Sequence, residues 1–269
     1  MLESKLHELK SLIASYKKGV VVGFSAGVDS TVLSVIAHQV LAEKMLAVTV
    51  NSELTPSSEI ETAQQLAREF GFSHYLLHLN LLKYPEIIKN TPHRCYYCKK
   101  LIYQKLKSIA QSKGHETVLD GSNINDLQDF RPGRKALAEL EVTSPFELTG
   151  FSKREIREVA KLLNLPVWNK PSSACLASRI PFGVPLNQIA LHRIEKGEEF
   201  LNKLGVKQVR IRDHFPIARI ECGTEDWNLI LENKQKTIEK LKELGFSFVC
   251  LDLDGYKTGS FNPEQRTKE

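Results

Sequence analysis

Apolar and polar positions follow two alternating periods through the first half of the chain. GVVVGFS (residues 19–25), MLAVTVNS (45–52), HYLLHLN (74–80) and ETVLDGSN (116–123) are short apolar runs that end in polar loops. Between them, STVLSVIAHQVLAEK, SSEIETAQQLAREFGF and RCYYCKKLIYQKLKSIAQSKG repeat their apolar residues at helical spacing. Strands this apolar, each followed by a helix, predict a parallel sheet covered on both faces. In such sheets ligands bind beyond the carboxyl ends of the strands. Three loops therefore matter most: SAGVDS (25–30), NSELTPSS (51–58) and DGSNINDLQDFRPG (120–133). The opening segment, MLESKLHELKSLIASYKK, is an amphipathic helix pattern on Leu2, Leu6, Leu9 and Ile13.

FSKREIREVAKLLNLP (151–166) predicts a further helix, with Ser152 as N-cap and Glu155 in the capping-box position. VWNKPSSACLASRIPFGVP (167–185) is rich in proline and small residues, and the domain junction is placed there, dividing 1–165 from 166–269. Beyond it, GVKQVRIRD and PIARIEC alternate as a strand pair, ENKQKTIEKLKELGF (232–246) reads as a helix and SFVCLDLDGY (247–256) as a strand. FLNKLGVKQVRIRD and KLKELGFSFVCLDLD each run from a helix end through Leu-Gly into a strand. That is either an internal repeat or common wording at such joints. The tail SFNPEQRTKE reads as disordered. The expected fold is α/β, a parallel-sheet domain followed by a smaller α+β domain.

Composition narrows the class. With 42% hydrophobic and 26% charged residues, the chain has the balance of an ordinary globular protein. No apolar run approaches the ~20 residues of a membrane span. The first helix lacks the apolar core and cleavage site of a secretion signal, so a cytoplasmic protein is expected. The net charge of +5 divides as +1 over residues 1–150 and +4 over the rest. An anionic ligand such as a phosphate suits the second part, while the excess is well short of a nucleic-acid footprint.

Five cysteines, an odd number, argue for metal or redox chemistry rather than a disulfide framework. Cys95 and Cys98 in TPHRCYYCKK stand one helical turn apart, so both can face one point. A zinc ribbon needs a second such pair downstream, and there is none. The next cysteine, Cys175, stands alone in KPSSACLASRIP, and Cys222 and Cys250 fall in expected strands, where core packing is the plain reading.

In VVVGFSAGVDSTVLSVI a Ser-Ala-Gly-x-Asp-Ser turn joins a strand to a helix. Gly27 permits close approach of a ligand to the backbone. Ser25, Ser30 and the amides of the helix start can surround a phosphate, and Asp29 can help to hold magnesium. There is no Gly-Lys-Ser/Thr, so this is not the P-loop that grips β/γ-phosphates with a lysine. SAGVDS resembles the SGGxDS signature of the PP-loop ATP pyrophosphatases, whose fold is HUP-like. Ala26 replaces the usual glycine and must accept either negative φ or mild strain. Over nearly the whole chain the blocks NSEL, NTP, DFRPG, WNKP, SSACLASRIPFG, VRIRDH and ARIE resemble the LarE family of ATP-dependent sulfur transferases.

The resemblance implies an enzyme of nickel-pincer nucleotide biosynthesis. Such an enzyme adenylylates a carboxylate of pyridinium-3,5-biscarboxylate mononucleotide with ATP and Mg2+, then replaces AMP by sulfur to give the thiocarboxylate. For ATP it implies Ser25, Gly27, Asp29, Ser30, Asn51, Ser52, Asp120 and Gly121, with Asp126 or Asp129 near magnesium and Arg131 near a phosphate. For the substrate it implies Arg210 and Arg212 at its phosphate, with Ser178, Arg179, Glu198 and Glu221 around the reacting end. Strand alternation puts Arg210 and Arg212 on one face, as a phosphate fork requires. The three-cysteine members imply a [4Fe–4S] cluster on Cys95, Cys98 and Cys175, with the fourth iron open to a sulfide. Core packing, zinc with an outside ligand, and Cys175 as a sacrificial sulfur donor remain alternatives. A sulfide or other sulfur donor, a homo-oligomer and no nucleic-acid partner complete what is implied, and PSSACLASRIP is the candidate lid.

Two other functions fit parts of the pattern. A tRNA thiolase of the PP-loop class also joins this loop to three cysteines, but commonly adds zinc modules or an RNA-binding domain. An adenine-nucleotide sensor would need neither the cysteines nor the arginine strand.

Overall fold

The structure, a computed structural model, describes residues 2–115, 117–127, 132–171 and 174–257. In chain order its elements are α1 (Leu2–Ser15), β1 (Val20–Gly23), α2 (Val28–Leu41), β2 (Met45–Asn51), α3 (Ser57–Glu69), β3 (His74–His78), α4 (Pro85–Ile88), α5 (Arg94–Lys113), β4 (Thr117–Leu119), α6 (Pro132–Glu139), α7 (Pro145–Leu148), α8 (Lys153–Leu162), α9 (Gln188–Lys203), β5 (Val209–His214), β6 (Ile217–Cys222), α10 (Trp227–Glu232), α11 (Lys234–Glu243) and β7 (Phe248–Leu251). The chain divides into two units, Met1–Asn80 with His93–Ser173 and Leu81–Pro92 with Ala174–Glu269.

The first unit is built on a sheet in the order β3-β2-β1-β4, every neighbouring pair parallel. Val20 and Val22 pack with Leu9, Ile13, Leu33, Phe146 and Val159 on one side of it. Val21 packs with Val48, Tyr103, Leu106 and Leu137 on the other. Burial on both faces explains why β1 reads as an unbroken Val-Val-Val instead of alternating. Because β2 and β4 flank β1 on opposite sides, the carboxyl ends of β1 and β4 bound the topological switch point, where open parallel sheets take their ligands.

Helix α8 starts as its sequence predicts. Ser152 Oγ accepts from the Glu155 amide at 3.3 Å, and Glu155 Oε2 accepts from the Ser152 amide at 2.8 Å. Lys5 of α1 pairs with the same Glu155 at 2.8 Å, so one carboxylate serves both the cap and the packing of α1. Helix α6 falls partly within a stretch expected to be loop. It opens on Pro132, whose missing N–H costs nothing at a first helical position.

The second unit has a sheet in the order β5-β6-β7, with β5–β6 antiparallel and β6–β7 parallel. The helix expected over 232–246 is present as α11, and the short α10, which the sequence reading did not include, precedes it across Asn233. The paired Leu-Gly wording marks two helix ends: Gly205 N–H donates to Asn202 O at 3.0 Å and Gly245 N–H to Lys242 O at 2.9 Å. Cys222 is buried, as expected. Cys250, expected in the core, is exposed instead, because strand alternation puts it with Phe248 on the uncovered face of β7. Segment 81–92 joins this unit through Asn90, a buried residue whose Nδ2 donates to Pro181 O (2.9 Å) and Val184 O (3.0 Å). No helix among the described residues is long and apolar enough to cross a membrane. The tail from residue 258 lies outside the described residues.

Candidate functional site

In the first unit the β1–α2 turn forms a closed loop. The Ser25 amide donates to Ser30 Oγ at 3.2 Å, Ser30 Oγ reaches Gly27 O at 3.2 Å, and Thr31 Oγ1 reaches the same carbonyl at 2.8 Å. The left-handed conformation falls on Ala26, with φ +56°, while Gly27 is extended with φ −80°. Ala26 thus takes the strained option, at a cost of about 1 kcal/mol relative to glycine. Two lysines brace this loop. Lys153, the first residue of α8, donates to Asp29 Oδ2. Lys170 donates to Ala26 O at 3.2 Å and to Glu59 Oε2 at 2.6 Å.

Asp29 Oδ1 is buried and has no hydrogen-bond partner among the described residues. Burial raises the Asp29 carboxyl above its ordinary range. Lys153 offsets part of that, and the charge of Asp126 adds to it. Asp126 is itself buried and accepts from the Asn123 amide at 3.0 Å. Carboxylate oxygens from the ends of β1 and β4 thus influence one another, a donor set that suits a hard divalent cation which keeps most of its shell as water or phosphate. Asp129 and Arg131, both expected near ATP, lie outside the described residues.

Gly121 lets the β4 loop approach the β1 loop. A Cβ there would stand 3.1 Å from the Ser30 amide nitrogen and 3.3 Å from Asp29 Cβ. Asp120, beside it, is buried and fully engaged: Tyr103 Oη and Ser122 Oγ donate to it, the Ser122 amide does so at 2.9 Å, and Lys99 stands at 3.3 Å. Burial works to raise the Asp120 carboxyl, but Lys99 and the hydrogen bonds outweigh it and hold it below its ordinary value. Burial and the Asp120 charge push the Tyr103 phenol well above its own. Asp120 is therefore the buried support of the strand end. At the end of β2, Asn51 Nδ2 pairs with His78 Nδ1 at 3.3 Å, and Ser52 Oγ accepts from the Leu54 amide at 3.3 Å, a local turn at the strand end.

Cys98 (half-buried) begins the second turn of α5, and Cys95 (exposed) lies in the first. That turn carries no acidic residue, and Arg94 Nη2 lies 4.0 Å from Cys95 Sγ.

Cys175, in the second unit, caps the short 3-10 turn Leu176–Arg179, and its carbonyl accepts from the Ser178 amide at 2.9 Å. Arg179 is buried and makes two parallel hydrogen bonds to Glu198, Nε to Oε1 at 2.9 Å and Nη2 to Oε2 at 2.8 Å. Its Nη1 donates to Ala174 O (2.6 Å), Cys175 O (3.1 Å) and Ser178 Oγ (3.0 Å). Of the candidate lid, the described part from Ala174 is thus anchored; Ser172 and Ser173 lie outside the described residues. Glu198 Oε1 also accepts from the Ile211 amide at 2.9 Å, which ties the Cys175 turn to β5.

Arg210 and Arg212 share a face of β5 but have different employment. Arg212 is buried, with Nε and Nη2 on Glu221 Oε2 (2.8 and 2.6 Å) and Nη1 on Ser178 O (2.9 Å). Arg219 binds the other oxygen of Glu221 at 2.8 Å. Arg210 is half-buried and lies over the ring of Tyr256. The second unit therefore joins Cys175, Ser178, Arg179, Glu198, Arg212 and Glu221 in one network, with Arg210 opposite Glu221 in the strand register, and the first brings Ser25, Gly27, Asp29, Ser30, Asp120 and Gly121 together at two strand ends. Sequence reading passed over Lys153 and Lys170, although Ser152 and WNKP stand directly beside or around them.

Among the described residues no three His, Cys, Asp or Glu side chains are grouped to hold a metal ion. Cys95 and Cys98 belong to the first unit and Cys175 to the second.

A family profile described as NAD synthase matches residues 2–91, which include the β1–α2 loop. The chain is 37% identical to the pyridinium-3,5-bisthiocarboxylic acid mononucleotide synthase of Lactiplantibacillus plantarum, over 94% of this chain and 92% of that protein. It is 36% identical to an uncharacterized protein of Synechocystis sp., over 97% and 98%. It is 26% identical to the tRNA-specific 2-thiouridylase MnmA of Ehrlichia ruminantium, over 66% of this chain and 58% of that protein. A likeness that runs through both units, joined to the Ser-Ala-Gly-x-Asp-Ser loop at the switch point, places the chain in the LarE family of PP-loop ATP pyrophosphatases.

Proposed function

We propose that this chain is an ATP-dependent sulfurtransferase acting on pyridinium-3,5-biscarboxylate mononucleotide. The observation that carries the reading is the nearly full-length likeness to the Lactiplantibacillus plantarum synthase. In the first step a substrate carboxylate oxygen attacks the α-phosphorus of ATP, the bond to the β-phosphate oxygen breaks, and pyrophosphate leaves. In the second a sulfur nucleophile adds to the acyl carbon, the bond to the AMP oxygen breaks, and AMP leaves. Activation is needed because a carboxylate oxygen leaves poorly and AMP leaves well.

The residues divide that work. Ser25, Ser30 and the amides of the β1–α2 turn receive the leaving pyrophosphate, and Asp29 with Asp126 supplies oxygens for Mg2+. Asn51, Ser52 and Gly121 shape the nucleotide side, with Asp120 fixing the β4 end. Arg210 meets the substrate phosphate, and Arg212, Glu221, Arg179 and Glu198 hold Ser178 and Cys175 in place. The sulfur is assigned to a [4Fe–4S] cluster held by Cys95, Cys98 and Cys175. Bound there, the cluster would supply a replaceable sulfide, and the chain itself would supply three thiolates.

The partial likeness to the 2-thiouridylases favours PP-loop thiolation in general and gives tRNA as the second substrate reading. Pyrophosphate release decides between the two. Stimulation by the mononucleotide supports the proposal, and stimulation by tRNA with none by the mononucleotide refutes it. Iron and sulfide measured per chain after anaerobic purification test the cluster separately.

A further inference from the structure

We infer that Tyr256 is a positioning residue for the anion-binding arginine Arg210, holding its guanidinium by the face of the phenol ring. This rests on the reading above that Arg210 meets the substrate phosphate. Tyr256 follows β7 at the end of a turn, and its place is fixed from the backbone. Its amide donates to Cys222 O at 3.0 Å, and the Gly255 amide donates to Asp252 O at 3.1 Å. Gly255 has φ +69°, and a Cβ there would stand 3.1 Å from Cys222 O, so the turn is built for a residue with no side chain. Cys222 pairs with Val209 in the β5–β6 hairpin, and Glu221 pairs with Arg210. The segment after β7 is thereby fastened beside the strand position that carries Arg210.

The Arg210 guanidinium carbon lies 5.5 Å from the centroid of the Tyr256 ring, within cation–π range. Its Nη1 donates to Val209 O at 2.7 Å. Burial works against its charge and Arg179 and Arg212 repel it, while the carboxylate of Glu198, itself held by Arg179, attracts it. A ring face offers attraction without neutralising the charge, so Arg210 keeps its full charge for an incoming anion. A carboxylate at residue 256 would hold the guanidinium too, but would compete with that anion.

The test uses the full-length protein with Tyr256→Phe, Tyr256→Ala, Arg210→Ala and the Tyr256→Ala/Arg210→Ala double variant. Binding of pyridinium-3,5-biscarboxylate mononucleotide is followed by calorimetry, and the motion of the Arg210 Nε–Hε group by 15N relaxation without ligand. Tyr256→Ala should weaken binding about 5- to 10-fold, Tyr256→Phe less than 2-fold, and the double variant no more than Arg210→Ala alone. The KM for the mononucleotide should rise in Tyr256→Ala while kcat stays close to wild type. The Arg210 side chain should become mobile in Tyr256→Ala and stay ordered in Tyr256→Phe. Unchanged Arg210 motion in Tyr256→Ala, or a Phe variant as impaired as the Ala variant, overturns the inference. Ring-dependent order of Arg210 in a protein that does not bind the mononucleotide would instead uphold the positioning and overturn the substrate reading.

Discussion

Arg179 and Glu198 face each other through two hydrogen bonds of 2.9 and 2.8 Å, with side chains 2% and 10% exposed. The pair does more than cancel charge. The third guanidinium nitrogen gathers the Cys175 turn, and the same carboxylate takes the Ile211 amide of β5. Truncating one partner leaves the other buried and uncompensated. Glu198→Ala should therefore cost about 3–5 kcal/mol of stability, measured by urea denaturation, and Glu198→Gln less, because the amide oxygen still accepts from Ile211. A loss below about 1 kcal/mol in Glu198→Ala would show that the pair is not the anchor of the turn.

Ala26 gives a prediction of the opposite sign. Its φ of +56° favours glycine, whereas glycine also costs more entropy to order. The strain of about 1–2 kcal/mol exceeds the entropic cost of about 0.5–1 kcal/mol. Ala26→Gly should thus raise stability by up to about 1 kcal/mol in thermal denaturation, and Ala26→Val, β-branched and fully buried, should lower it.

Glu155 sets a pH signature. Burial opposes ionisation, but hydrogen bonds from Lys5 and Ser152 prevail and lower its pKa to about 2. A depressed carboxyl stabilises the fold above its unfolded pKa, and that contribution fades as pH falls through the folded value. The stability difference between wild type and Glu155→Gln should stay constant from neutral pH down to about 5 and shrink between about 4.5 and about 2. Denaturation at several pH values reads it directly.

Asp29 titrates the other way. Its pKa is raised by burial and held back by Lys153, so removing that ammonium raises it further. The protonated form then persists to higher pH. In Lys153→Met the acidic limb of the pyrophosphate-release profile should move to higher pH, while Asp29→Ala should lose release altogether with the fold intact by circular dichroism. Wild-type release by Asp29→Ala would remove this carboxylate from the site.

Much of this was legible in the chain. Val20–Val22, the Ser152/Glu155 box and the 209–222 strand pair announce themselves because local periodicity and caps dictate them. The SAGVDS loop is legible because a strand-to-helix turn with that wording has few uses. Lys153 and Lys170 were not, since an exposed-looking lysine acquires its partner only when α8 and WNKP fold back on the loop. The same holds for Asn90, whose three carbonyl partners lie about 90 residues along the chain. Arg212 looked like half of a phosphate fork because alternation fixes its face. Its pairing to Glu221 depends on the β5–β6 register, which a single strand does not reveal. Strand propensity alone puts Cys250 in a core, but which face of β7 is covered depends on the packing of the whole second unit, and Cys250 falls on the exposed one.

The central claim is tested most directly by incubating the anaerobically purified protein with ATP, Mg2+, inorganic sulfide and pyridinium-3,5-biscarboxylate mononucleotide, then following pyrophosphate and the mass of the mononucleotide together. The account predicts that pyrophosphate appears only when the mononucleotide is present, and that the mononucleotide exchanges one carboxylate oxygen for sulfur over many turnovers per chain. Pyrophosphate release indifferent to the mononucleotide, or a mononucleotide that never acquires sulfur while ATP is consumed, would contradict it.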